Sequence, residues 1–262
     1  MSTLQDTFSI LWPALIGGML VLSTHVPLGQ QVLSRGIVFI DLAIAQVAGV
    51  GVIAAHYAGF DLQGWTTQIA AVSAALLGAL LLTWTEKRRP EVQEALIGIL
   101  FVLASTAQIL LLANDPHGGE DLKDLLAGQI LWVSGGQLLR AAVVTAIFLL
   151  VWFRFRERIG RVGFYILFAF VVTASVQLVG VYLVFTTLIV PAVAVYRFPQ
   201  RRQLFLGLLL AAVSYLVGLA LSALTDLPTS PVVVWAMVLL GVVVHLASPR
   251  SYSGATAGSG HA

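Results

Sequence analysis

An all-α fold, a polytopic bundle of about eight to nine transmembrane helices, is what this sequence predicts, on three observations. The 262-residue chain is 59% hydrophobic and only 10% charged, where soluble domains carry about 25% charged residues. Its apolar runs reach or approach the roughly 20 residues that cross a hydrocarbon core. They follow one another through short polar loops, which is the arrangement of a helical bundle and not of a β-barrel. A single transmembrane domain, 1–247, takes nearly the whole chain. The small polar tail SPRSYSGATAGSGHA, 248–262, has the composition of a disordered segment.

No Lys or Arg precedes the first span, Phe8 to Val32, so it lacks the basic start of a signal peptide and is expected to be a retained helix. Ile37 to Ala58, Gln68 to Trp84, Ala95 to Ala113 and Gln137 to Phe153 follow as long apolar runs. Phe164 to Tyr196 is too short for two full spans. One full helix to about Tyr182 and a short or broken one from about Val184 are expected, and Pro191 suits a broken segment because it removes a backbone donor. Gln203 to Leu224 and Val232 to Ala247 complete the set. Small residues at packing distance, such as Gly17 and Gly18, Gly49 and Gly51, and Gly218 with Ser222, allow helices to approach closely in lipid.

The formal net charge of +2 says less than where the charges lie. Basic loops gather on the cytoplasmic side of a membrane protein. EKRRPEVQ (Glu86 to Gln93), RFRERIGR (Arg154 to Arg161), RFPQRR (Arg197 to Arg202), Arg35 and Arg250 all fall on one side if the broken segment counts as a crossing. The loops holding Asp61, DPHGGEDLKD (Asp115 to Asp124) and Asp226 fall on the other. The N-terminus is then outside and the C-terminus inside.

Several chemistries are excluded. A phosphate loop GxxxxGK[ST] needs a lysine after glycine, and the two lysines, Lys87 and Lys123, follow Glu86 and Leu122. Any ATP that drives this chain is then expected to be hydrolysed by another subunit. HExxH is absent and the histidines His25, His56, His117, His245 and His261 are scattered, so no metalloprotease site is formed by sequence. With no cysteine there are no thiolate sites or disulfides. No convergent catalytic set is present, and no nucleic-acid partner is expected.

One carboxylate stands out. Asp41 lies inside an apolar run with Arg35 six positions back, whereas helix neighbours are three and four apart. With a helix starting at Ile37, Asp41 is buried roughly 7 or 8 Å along the axis. A carboxylate at mid-helix costs about 2.5 to 3.5 kcal/mol on insertion scales, which is usually offset by a bundle interior or a water-filled path. Gln46 is about 140° further round the helix and does not share its face. It has the character of an interhelical hydrogen-bonding group. His25 precedes Pro27 by two residues, where a kink could free backbone carbonyls. Gln177 and Thr187 sit with Thr173, Ser175 and Thr186 in apolar sequence around Gly180, able to line a wet path or to bond to the preceding turn. Arg140 near the start of its span is expected to snorkel.

Three blocks then carry a family resemblance. HVPLGQQVLSRGIVFIDLAIAQVAGVG, EALIGILFVLASTAQILLL followed by HGGEDLKDLLAGQILWVS, and FYILFAFVVTASVQLVGVYLVFTTLIVPA resemble, in order and over most of the chain, the membrane permease subunits of zinc and manganese ABC importers, the ABC-3 family. The third block is the most specific. In much of that family the second helix ends in GD-x-LSH. Asp41 matches the aspartate, while the histidine position holds Ala45, or Gln46 if one residue is inserted. The family's cytoplasmic stretch after the fifth span is here only RFRERIGRVG.

The resemblance implies a multi-pass protein of the bacterial inner membrane, a homodimer working with a cytoplasmic ABC ATPase subunit and an extracytoplasmic metal-binding protein. It implies import of a divalent metal ion, zinc first and manganese or iron next, with no resident cofactor. The expected transport path contains Asp41, Gln46, His25, Gln177 and Thr187, with no metal-ligand set assigned. The expected ATPase contact contains Arg156, Arg158, Arg88 and Arg89. The alternatives are a related permease for a metal chelate or other small solute, and a non-transporting membrane scaffold.

Overall fold

The computed structural model describes residues 2–60, 64–113, 115, 118–128, 130–155 and 158–248. Arg156, Asp61, Arg250 and the tail from residue 249 lie outside the described residues. Ten α-helices are described: α1 (Ser2–Arg35), α2 (Ile40–Tyr57), α3 (Trp65–Arg88), α4 (Gln93–Leu112), α5 (Gly118–Ala127), α6 (Gly135–Phe155), α7 (Arg161–Val179), α8 (Val181–Ala194), α9 (Gln200–Thr225) and α10 (Thr229–Ala247). Short 3₁₀ turns occupy Pro90–Val92 and Ile130–Trp132, and no strand occurs among the described residues. Eight of the helices are long and apolar enough to cross a membrane, while α8 and α5 are shorter.

Lipid tails are as apolar as leucine, so hydrophobicity alone does not choose which helix is central; small residues and polar links do. The most apolar stretch of α2 is 67% buried and that of α7 61%, against 22% for α4, α6 and α10. Close contacts at glycines join particular helix pairs. A methyl group on Gly51 would fall 2.6 Å from the Ala70 carbonyl oxygen of α3, and one on Gly218 would fall 2.6 Å from Cα of Val233 on α10. At Gly29 of α1 it would meet the Leu188 carbonyl oxygen of α8 at 1.8 Å, so these two backbones touch.

The two ends of the bundle are each tied by their own contacts. At one end Arg35 lies 4.1 Å over the Phe164 ring, Arg161 reaches Glu86 at 3.7 Å, and His245 Nδ1 approaches the Val193 carbonyl at 3.3 Å. At the other, Arg140 covers Trp65 and Ser230 donates to the Val179 carbonyl at 3.2 Å. The basic loops thus share one end, as positive-inside sorting requires. Single cysteines are therefore expected to be labelled from outside intact cells at positions 61, 115 and 226, and only after permeabilisation at 88, 158 and 201. Labelling of position 158 in intact cells would reverse the assignment.

Three expectations are corrected. The helix holding Asp41 begins at Ile40 and not at Ile37, because Gly36 takes a positive φ of 68° and the chain turns through residues 36–39. Asp41 is therefore in the first turn of α2 and not 7 or 8 Å into it. The full helix followed by a short one is present as expected, but the boundary falls a few residues earlier, at Gly180, φ 80° and ψ 163°, and α8 is not broken at Pro191, which lies inside it. The segment after residue 117 is not merely a polar loop: α5 and the Ile130–Trp132 turn fold back onto the bundle, burying Ile130 to 1% exposure. Gly128 seats this segment, since a methyl group there would fall 2.3 Å from the Val179 carbonyl carbon.

Candidate transport site

Asp41 is 1% exposed, and neither carboxylate oxygen has a hydrogen-bond partner among the described residues. Its place in the first turn of α2 offers one compensation, the partial positive charge that aligned peptide dipoles leave at a helix N-terminus. A second carboxylate stands at the same helix end. Glu94, in the first turn of α4, accepts a hydrogen bond from the Phe39 amide at 3.2 Å on Oε1, while its Oε2 is buried without a partner. Glu94 thereby caps α2 from outside and fixes where Asp41 begins its helix. In the sequence Glu94 stands just outside the apolar run that begins at Ala95. The available signal was an acidic residue in a first helical turn.

Around this end runs a polar belt. Gln93 donates from Nε2 to the Leu82 carbonyl at 3.0 Å and accepts from Thr85 at 2.9 Å, joining α4 to α3. The Glu86–Arg161 pair then joins α3 to α7. Glu94→Ala is expected to lower stability by about 1 kcal/mol through loss of a cap. Glu94→Gln should retain most of it, because its side-chain carbonyl still accepts the Phe39 N–H. Thermal melts of the two purified variants check this, and equal melting of alanine and wild type would remove the capping role.

His25 is fully buried in α1, ten residues before Arg35 and thus about 15 Å along the axis from that end. Nδ1 lies 3.0 Å from the Val21 carbonyl and 2.9 Å from the Thr24 hydroxyl. A carbonyl only accepts, so when this bond forms Nδ1 carries the proton and Nε2 keeps its lone pair. Nε2 is buried without a partner. Thr187 donates to the Leu183 carbonyl at 2.7 Å and shares a 3.1 Å contact with the Tyr215 hydroxyl, linking α8 to α9. Because Gly29 abuts Leu188, His25 and Thr187 lie within about one turn of the same level.

Gln46 and Gln177 are engaged elsewhere. The Gln108 amide of α4 donates to the Gln46 side chain at 2.6 Å and to its backbone carbonyl at 2.9 Å. The Gln68 amide of α3 donates to the side-chain oxygen of Gln177 on α7. The five residues are thus spread over separate levels, with Asp41 at the basic end and His25 and Thr187 deeper. No group of three His, Cys, Asp or Glu able to hold a metal ion occurs among the described residues. At the basic end Arg158 is exposed, Arg88 covers Trp84 at 5.1 Å and Arg89 pairs with Glu91 at 4.0 Å.

Eight helices long and apolar enough to span, with polar groups buried between them, define a polytopic helical membrane protein. The chain belongs to the ABC 3 transport family, which it matches over residues 7–161 and 156–248, and it is accordingly a multi-pass inner-membrane permease. It is 24% identical to the manganese transport system membrane protein MntC of Halalkalibacterium halodurans, covering 93% of this chain and 89% of that one. It is 25% identical to the high-affinity zinc uptake system membrane protein ZnuB of Haemophilus influenzae, with 90% and 97% covered. A probable iron transport system membrane protein of the same organism is 23% identical over 70% of this chain and 72% of its own. Among solved structures, PsaBC from Streptococcus pneumoniae in complex with Fab superposes with a TM-score of 0.77 at 22% identity, covering 96% of this chain and 98% of that one. An inward-facing, putative metal-chelate type ABC transporter reaches a TM-score of 0.70 at 16% identity, with 90% and 85% covered.

Proposed function

We propose that this chain is the permease of an ATP-driven importer for a divalent metal ion, zinc first, then manganese or iron. The observation that carries the reading is Asp41, a buried carboxylate with no partner for either oxygen among the described residues, in a family whose relatives bear manganese, zinc and iron transport names. A bare carboxylate is a hard oxygen donor, suited to a passing divalent cation. His25, with a free Nε2 lone pair deeper in the bundle, adds a borderline nitrogen donor that favours zinc over magnesium or calcium. Gln46, Gln177 and Thr187 shape the helix contacts along this route.

The working assembly is a homodimer with a cytoplasmic ATPase pair and an extracytoplasmic metal-binding protein. The ATPase is taken to dock on the basic end, where Arg88, Arg89 and Arg158 project and the Glu86–Arg161 pair ties the two loops into one platform. The cargo is the only metal involved. The test is uptake of zinc, manganese and iron, each as free ion and as chelate, in cells with and without this gene. Zinc uptake that depends on the gene and on the free ion is the expected result. Uptake of every metal unchanged by deletion would overturn the reading, and gene-dependent uptake of a chelate alone would replace it with the chelate importer.

A further inference from the structure

Between α3, α6 and α7 lies an open cleft of about 580 Å³, of whose lining residues the proposed transport route includes Gln177 alone. Its polar groups are not scattered. Trp65 and Gln68 open α3, Gln137 and Arg140 lie in the first two turns of α6, and Gln177 lies in the last turn of α7, so all sit at the end opposite the basic loops. Toward mid-membrane the lining becomes apolar, with Val72, Val143 and Phe170. The cleft is therefore amphipathic along its length, polar at the interface and greasy below.

The polar groups include donors without acceptors. Thr173 is 1% exposed, and among the described residues its hydroxyl has no partner; Gln177 accepts a hydrogen bond from Gln68 on its oxygen, but its Nε2 is buried and unbonded among the same residues. Arg140 has a ring for a neighbour, 5.5 Å from the Trp65 centroid, and no carboxylate among the described residues. Helical side chains lean toward the helix N-terminus. The Arg140 guanidinium on α6 is thus carried outward to the interface, while Gln177 and Thr173 on the oppositely running α7 lean inward beneath it. A cation sits above two donors, above an apolar slot.

We propose that this cleft binds one anionic phospholipid of the extracytoplasmic leaflet, with its phosphate on Arg140, its ester carbonyls on Gln177 and Thr173, and an acyl chain along Val72, Val143 and Phe170. The order of groups matches such a lipid, in which phosphate lies outermost, the ester oxygens accept hydrogen bonds just below, and hydrocarbon follows. Buried donors are costly when left unmade in a membrane, and a lipid supplies acceptors at the right depth. A second copy of the chain would instead present a helix face whose backbone groups are already bonded internally. Trp65 at the mouth is a residue type that favours this interface.

The full chain, purified in mild detergent from membranes and tested by lipid mass spectrometry, is expected to retain phosphatidylglycerol. Arg140→Glu and the cleft-filling Val143→Trp should each reduce retention about tenfold, the scale of a lost charge-assisted hydrogen bond. Arg140→Lys should keep most of it. Size-exclusion profiles establish that the variants are folded. Independently of any variant, the delipidated wild type is expected to take up phosphatidylglycerol in preference to phosphatidylcholine. Equal retention by wild type, Arg140→Glu and Val143→Trp, or no preference between the two lipids, overturns the proposal. So does a disulfide-linked dimer formed in membranes through Leu139→Cys on this cysteine-free chain, which would make the cleft a contact between copies.

Discussion

Asp41→Asn is expected to leave membrane abundance unchanged and melting temperature at or above wild type, while metal uptake falls at least about tenfold, the equivalent of about 1.4 kcal/mol. The two halves of this expectation have opposite physical origins. Asparagine has nearly the shape of aspartate, so the substitution opens no cavity among Ile40, Ala43 and Ile44, which pack around this turn of α2. It also removes an ionisable group whose oxygens have no hydrogen-bond partner among the described residues. Neutralising an unpaired buried carboxylate relieves desolvation and so does not destabilise. A residue kept for structure alone would be improved by the change. A carboxylate kept as a landing point for a cation would be disabled, because a neutral amide offers one weak oxygen donor in place of a charge. Uptake equal to wild type at equal abundance would show that the charge is not used in transport.

Gly180→Ala is expected to abolish recovery of folded protein. At φ 80° and ψ 163° the residue occupies a region open essentially only to glycine, and an L-residue there costs about 1–3 kcal/mol in strain. Space is lacking as well. The added methyl group would lie 2.4 Å from the Gly128 amide nitrogen and 2.5 Å from the Ala127 carbonyl carbon, both backbone atoms with no rotamer to escape through. Gly128→Ala makes the reciprocal collision and also sits at a positive φ of 69°. Each variant should therefore unseat the α5 segment from the α7–α8 corner, and the double variant should be little worse than either single one, since both break the same contact. Monodisperse Gly180→Ala protein with wild-type melting behaviour would show that the corner is not packed in this way.

The glycine corner was invisible in the sequence for a reason that also explains the other discrepancies. In sequence Gly180 is only a small residue amid hydroxyls, because its partner Gly128 is distant along the chain and neither neighbourhood records the other. Pro191 suited a broken segment on local grounds, whereas the segment is a short helix that runs on through it. The start of α2 moved for a similar reason: Gly36 and the Glu94 cap lie outside the apolar run that marked the span. Gln46 illustrates a success of type without a partner. Its character as an interhelical hydrogen-bonding group was legible, but only the packed bundle names Gln108.

What the sequence determined by itself was what depends on solvent and local position: an all-α membrane protein, the order of its apolar runs, the end that carries the basic loops, and the oddity of Asp41 in an apolar run. Those properties are sums over local residues, because each span must satisfy its own backbone and bury its own side chains in lipid. What only the tertiary structure decided was pairing. Hydrophobicity cannot rank helices against one another in a solvent as apolar as their side chains, so the central place of α2 and α7, the Gly29 contact with α8, the Glu94 cap and the separation of Asp41 from His25 follow from close approach and hydrogen bonding between segments far apart in the chain.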